Sequence, residues 1–258
     1  MSLLFKKRKR HSGLVIAGLA VACVLCGVPA AQAGTLWYNG DMDQRDALAN
    51  QTSSTAGALA SRIYDDFVVP AGHTWTITGV FSNDVADPYD PYGSRTASWE
   101  IRSGVSAGNG GTLVASGDGR DTISATGRNF NAFAPFAGTE YTNAVNGLSI
   151  TLGPGTYWLS VAPDTPGYWD AYWYNSTTSG ANAIGIPPGD DGNSYITDSL
   201  GNYFTPTSQI EGPGNWDYSM GIVGNFTVTP EPTTMTLLLG GSLSLAGFRY
   251  LRRRVRPA

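Results

Sequence analysis

Between Gly34 and Val228 the apolar residues come in short runs, separated by clusters of Gly, Pro, Asn, Asp and Ser, and no long stretch repeats at helical spacing. The runs Ile63–Val69, Thr74–Phe81, Ala97–Arg102, Leu148–Leu152, Thr156–Ala162, Tyr168–Tyr174 and Met220–Val228 are predicted strands. Side chains alternate across a strand, so Trp75, Ile77 and Gly79 are expected on one face, opposite Thr74, Thr76 and Thr78, and Trp99 and Ile101 share a face of theirs. Many short strands spaced by turns predict an all-β domain, an antiparallel two-sheet sandwich of jelly-roll or lectin-like type. The small polar segment 50–60, NQTSSTAGALA, reads as a loop.

The ends follow a different pattern, because continuous apolar runs replace alternation. At the front, Lys6–Arg10 precede an apolar stretch from about Gly13 to Val28, and Ala31 and Ala33 then frame an A-Q-A site. This order is that of a secretory signal peptide cut by signal peptidase after Ala33, with an uncleaved anchor as the alternative. At the back, Pro230, Glu231 and Pro232 precede the apolar run Thr233–Phe248, which ends in Arg249, Arg252, Arg253 and Arg254. As a helix these sixteen residues rise roughly 24 Å, short of a ~30 Å hydrocarbon core. The arginines would hold the C-terminus on the cytoplasmic side and leave the prolines outside, in an extended approach that cannot continue the helix. A permanent anchor is again the alternative.

Tripeptide, glycine-bearing apolar helix and basic end, in that order, resemble the PEP-CTERM sorting signal. The resemblance implies recognition of Pro230-Glu231-Pro232 by an exosortase, removal of a short transmembrane sorting helix after transient residence in the inner membrane, and delivery to the bacterial cell envelope or outside it. The phrases YDDFVVPAGHTWTITGV and GPGTYWLSVAP are similar to those of secreted PEP-CTERM ectodomains with lectin-like sandwiches. The expected organisation is a signal peptide at 1–33, a β-sandwich ectodomain at 34–228 and a sorting signal at 229–258.

Charge sharpens this division. The 258-residue chain is formally −4, but its basic residues crowd the ends: from Gly34 to Thr229 six arginines and no lysine face nineteen acids, a formal −13. Such a body repels a phosphate backbone, which excludes nucleic acid as a partner. Both cysteines, Cys23 and Cys26, lie in the first apolar run, so the body has neither disulfide nor thiolate-held metal.

Candidate chemistry is sparse. In GYWDAYWYN a strand would place Tyr168, Asp170, Tyr172 and Tyr174 on one face, opposite Trp169 and Trp173, as a surface on which sugar rings stack; burial of both faces is the alternative. Asp84, Asp87 and Asp90, with Asp190 and Asp191, are loop oxygen donors able to hold a structural calcium, although turn formation alone accounts for them and no other cofactor is implied. His73, alone after the signal peptide, reads as a turn residue, since no nucleophile elbow accompanies it. Glu100, Glu140 and Glu211 are the least turn-like acids for a glycosidase pair. Asp65 and Asp66 are expected to point apart and not to cooperate. The function expected is non-enzymatic binding of polysaccharide or matrix; a secreted hydrolase with an acidic pair and a purely structural matrix protein are the alternatives.

Overall fold

The computed structural model describes residues 33–53, 59–86, 96–133, 136–165 and 173–228. The signal peptide and the sorting segment, with Ala31, Pro230, Glu231, Pro232 and the arginine tail, lie outside them, as do Asp87, Asp90, Tyr168, Asp170 and Tyr172.

The body is all-β and, with one short exception, antiparallel. Its strands are β1 (Gly34–Tyr38), β2 (Met42–Ala49), β3 (Thr52–Ser53), β4 (Ser61–Val69), β5 (His73–Ala86), β6 (Thr96–Ser103), β7 (Thr112–Phe133), β8 (Phe136–Leu152), β9 (Gly155–Thr165), β10 (Trp173–Thr178), β11 (Tyr195–Asp198), β12 (Thr205–Pro206), β13 (Asp217–Tyr218) and β14 (Met220–Val228). Hydrogen-bonded neighbours run β1-β14-β5-β8-β7-β6-β9-β4-β11-β12, with β10 joined to β2, β5 and β13. Among the described residues only β3, two residues long, pairs in parallel, with β9.

Long β7 gives this path its continuity. Thr112–Arg120 pair with β6, and the strand then changes partner, so that the residues from Asp121 onward pair with β8. Both ends of the path share one core. Trp37 of β1, Ile77 of β5 and Ile222 of β14 pack in the same cluster as Ile63 and Phe67 of β4, Trp99 and Ile101 of β6, and Leu159 and Val161 of β9. Phe67 is an aromatic hub, with ring centres of Trp37, Tyr157 and Trp75 at 5.5, 5.6 and 5.9 Å. With no disulfide in the body, burial of this kind supplies its stability.

The seven predicted runs find their strands except where Tyr168–Tyr174 leaves the described residues, and Trp99 and Ile101 are core neighbours as alternation requires. Parity fails in β5. A bulge shifts the register between Ile77 and Gly79, so Val80 takes the core position that a regular strand gives Gly79. The 50–60 segment is not simply a loop: Gln51 and Ser61 exchange backbone hydrogen bonds at 2.8 and 2.9 Å, and Thr52–Ser53 form β3.

The turn after β6 bears on the site below. Gly111 has φ +59°, and a Cβ there would stand 2.1 Å from the Ser103 carbonyl oxygen; a Cβ on Gly110 would stand 2.4 Å from the Phe204 ring. Only glycines let this loop close so tightly.

Ile101→Ala, emptying a fully buried site on β6, is expected to cost about 2–5 kcal/mol by urea unfolding. Leu113→Ala, at a side chain 48% exposed, should stay within about 0.5 kcal/mol.

Candidate functional site

Adjacent strands β11, β4, β9 and β6 align their polar residues in rows. The register sets Tyr195 opposite Tyr64, Ser160 opposite Glu100, Asp66 opposite Trp158, Trp158 opposite Arg102 and Ser98 opposite Ala162. Period-two alternation does the rest: Ile63, Phe67, Leu159, Val161, Trp99 and Ile101 enter the core, and the residues between them form the other face.

Glu100 is the centre of that face. Its Oε2 accepts from Arg102 Nε at 2.6 Å and from the Tyr64 hydroxyl at 3.1 Å; Arg62 Nε stands 4.0 Å from Oε1. Burial, with the Glu100 carboxylate adding to it, holds the Tyr64 hydroxyl above the usual phenol range, so it remains a donor. Arg102 also donates from Nη1 to the Gly110 carbonyl at 3.0 Å and lies over the rings of Phe204 and Tyr64 at 5.2 and 5.9 Å. Arg62 donates from Nη2 to Ser98 Oγ at 2.5 Å, whereas its Nη1 and the hydroxyl of fully buried Ser160, both shut off from solvent, have no partner among the described residues.

Toward one side the face becomes aromatic and acidic. Trp158 donates to the Asn193 carbonyl at 3.1 Å, and the Tyr195 hydroxyl bonds Asn193 Oδ1 at 3.3 Å. Asp66 is buried, its Oδ1 lacks a partner, and burial followed by the charge of Asp191 pushes it up to about 7. Behind it Asp65 accepts from Asn39 at 2.8 Å and from the Tyr218 backbone N–H at 2.6 Å, and is driven well above the carboxylate range by burial and then by Asp217. Asp217 accepts the backbone N–H groups of Asp190, Asp191 and Gly192, yet burial and Asp191 raise it to about 6. Asp65 also accepts the backbone N–H of Asp66 at 2.9 Å, and the charges of Asp191 and Asp217 raise both carboxyls.

Of the proposed calcium donors, Asp190 and Asp191 lie in this loop, Asp190 3.5 Å from Arg45. Asp84 does not join them. Strand β5 runs through it, where the loop reading placed it outside a strand, and its buried carboxylate accepts from Asn50, Ser82 and Asn143 at 2.9, 2.5 and 2.9 Å. Among the described residues no group of three His, Cys, Asp or Glu side chains is placed to hold a metal ion. Of the tyrosine row only Tyr174 is described: half-buried, it packs beside Met42, Ala47, Val85 and Phe130, while Trp173 next to it is buried. His73 sits at the entry to β5, its Nδ1 3.2 Å from the Ala71 carbonyl oxygen.

The three glutamates fall in separate surroundings. Glu140 is fully buried, accepting from Ser176, Thr126 and Arg128 at 2.5, 2.8 and 2.5 Å. Glu211 hydrogen-bonds Asp46 and is pushed up to about 8 by burial and then by that bond. Such direct contact is closer than the ~5–9.5 Å of a glycosidase pair.

Sequence reasoning singled out Glu100 but missed Arg62, Tyr64, Trp158 and Ser160. The signal available was alternation: if Trp99 and Ile101 point inward, Ser98, Glu100 and Arg102 point outward. No family model matches the chain, and no curated protein matches it.

The acid cluster sets a pH dependence. Asp65, Asp66 and Asp217 have folded values raised above their unfolded ones, so their protonation favours the fold and stability rises as pH falls from 8 to 5. Asp41 works in the opposite sense: burial opposes it, but hydrogen bonds from Tyr38 and Asn182 and the charge of Arg128 hold it low, so its contribution is lost on further acidification. Thermal melts should therefore show the melting temperature rising as pH falls from 8 to 5, and Asp66→Asn should flatten the slope between pH 6 and 8. A wild-type melting temperature that climbs from pH 5 to 8 would contradict the assignment.

Proposed function

We propose that this chain is exported to the bacterial cell envelope or its extracellular polysaccharide matrix, trimmed at both ends by signal peptidase and an exosortase, and binds glycan there without turning it over. The observation that carries the reading is the distribution of charge and apolarity. A cysteine-free, lysine-free, formally −13 β body stands between two apolar segments, and the other ten cations of the chain lie at its ends. The body itself is a two-sheet sandwich of jelly-roll, lectin-like type, a reading supported by the single core to which both halves of the strand path contribute.

Glycan binding is favoured by the chemistry of the β4–β9–β6 face. Charged hydrogen-bonding groups beside Tyr and Trp rings are what a sugar needs, hydroxyl partners on one side and an apolar ring face on the other. The aromatic run Tyr168–Tyr174, with Asp170, is a second candidate surface. The hydrolase reading has less support, because each glutamate weighed for an acid pair is engaged by partners of its own.

Cell fractionation with intact-mass analysis tests this. The expected product is outside the inner membrane, lacks residues 1–33 and the tail beyond Pro232, and binds host extracellular polysaccharide saturably without releasing reducing ends. A full-length cytosolic product overturns the reading. Release of reducing ends that disappears in Glu100→Gln would install the hydrolase in its place, and absence of any glycan binding the structural protein.

A further inference from the structure

The hydrogen-bonding capacity of the β4–β9–β6 face is unevenly spent, and what remains has a definite shape. Glu100 Oε2 is occupied twice, by Arg102 and by Tyr64. Arg102 bonds Glu100 and Gly110 and lies over the Phe204 and Tyr64 rings, which holds Glu100 in place. Glu100 Oε1, by contrast, has among the described residues only the Arg62 guanidinium, at a loose 4.0 Å. Arg62 spends Nη2 on Ser98, and its Nη1, without an acceptor among the described residues, is shut off from solvent. In register with Glu100 lies Ser160, fully buried, its hydroxyl without a partner among the described residues and likewise shut off from solvent.

Glu100 Oε1 and the Arg62 Nε–H, 4.0 Å apart, are an acceptor and a donor side by side. Adjacent hydroxyls of a sugar ring present the complement: one donates while its neighbour accepts. Resting on the reading of the chain as a glycan binder, we propose that Glu100 and Arg62 recognise a vicinal diol of an uncharged sugar, one hydroxyl donating to Glu100 Oε1 and the next accepting from Arg62 Nε.

Access and preorganisation support this. The Glu100 and Arg62 side chains each keep 19% of their surface, whereas Tyr64 keeps 2% as a residue and serves to position Glu100. Charge decides the sugar class. A uronate would bring its carboxylate against Glu100 Oε1 and toward Asp66, within a body of net negative charge, so neutral hydroxyls are favoured over acidic sugars.

The test uses the full-length chain in detergent against galactomannan, glucomannan, dextran and polygalacturonate, each before and after periodate cleavage of its vicinal diols. At least one neutral polymer should bind, periodate should abolish the binding, and polygalacturonate should bind least. Glu100→Gln and Arg62→Met should each weaken it about ten- to a hundredfold, with thermal melts and circular dichroism confirming the fold; Glu100→Asp tests whether a shortened carboxylate keeps part of it. Binding that survives periodate or both substitutions, or that favours polygalacturonate, overturns the diol assignment and leaves the glycan-binding reading standing. If none of the four polymers binds while host polysaccharide does, the diol assignment again fails alone; if host polysaccharide is not bound either, both fail.

Discussion

Register between β4, β9 and β6 is the constraint on which the rest depends. Side chains alternate with a period of two, so a slip of one residue on β9 would withdraw Leu159 and Val161 from the core and put Ser160 in their place. The apolar set therefore locks the polar set. Because Ile63, Phe67, Leu159, Val161, Trp99 and Ile101 must be inside, Tyr64, Ser160 and Glu100 fall into one row and Asp66, Trp158 and Arg102 into the next.

Scarcity of cations shapes everything polar on that scaffold. Six arginines serve nineteen acids in the body, so buried carboxylates are satisfied in other ways. Asp84 is held by Asn50, Ser82 and Asn143, and Asp217 by three backbone N–H groups, while Glu140 has Arg128. Where such donors run short, burial and like charge push the acid toward neutrality, as at Asp66 and at Glu211 beside Asp46. Arg62 and Arg102 are two of the six, and both converge on Glu100. The function proposed for the face rests on that convergence.

Much of the architecture was legible in the sequence because apolar alternation is local. Runs such as Ala97–Arg102 and Met220–Val228 carry their own evidence, and the latter matches β14 end to end. What escaped is non-local. Thr112–Phe133, rich in Gly, Asn and Asp, lacks strand-like composition and becomes the 22-residue β7 because it has β6 and then β8 to pair with. Gly79 lost its place to Val80 through a bulge that composition does not announce. Asp84, in a stretch read as turn, is interior because Asn50 and Asn143 from distant parts of the chain come to meet it. For the same reason Glu100 was visible as an acid, but not as the partner of Arg62 and Tyr64, which sit 36 or more residues away and meet it only across β9.

The most direct measurement of the register is a crosslink across β6 and β9. With Ser98→Cys and Ala162→Cys in one chain, mild oxidation should give a disulfide between positions 98 and 162, mapped by peptide mass, since these residues face each other on one side of the sheet. The control pair Ser98→Cys and Val161→Cys, pointing to opposite faces, should stay reduced. Crosslinking of the control pair with none in the first would mean that β9 is shifted by one residue, and the polar row through Glu100 would not exist.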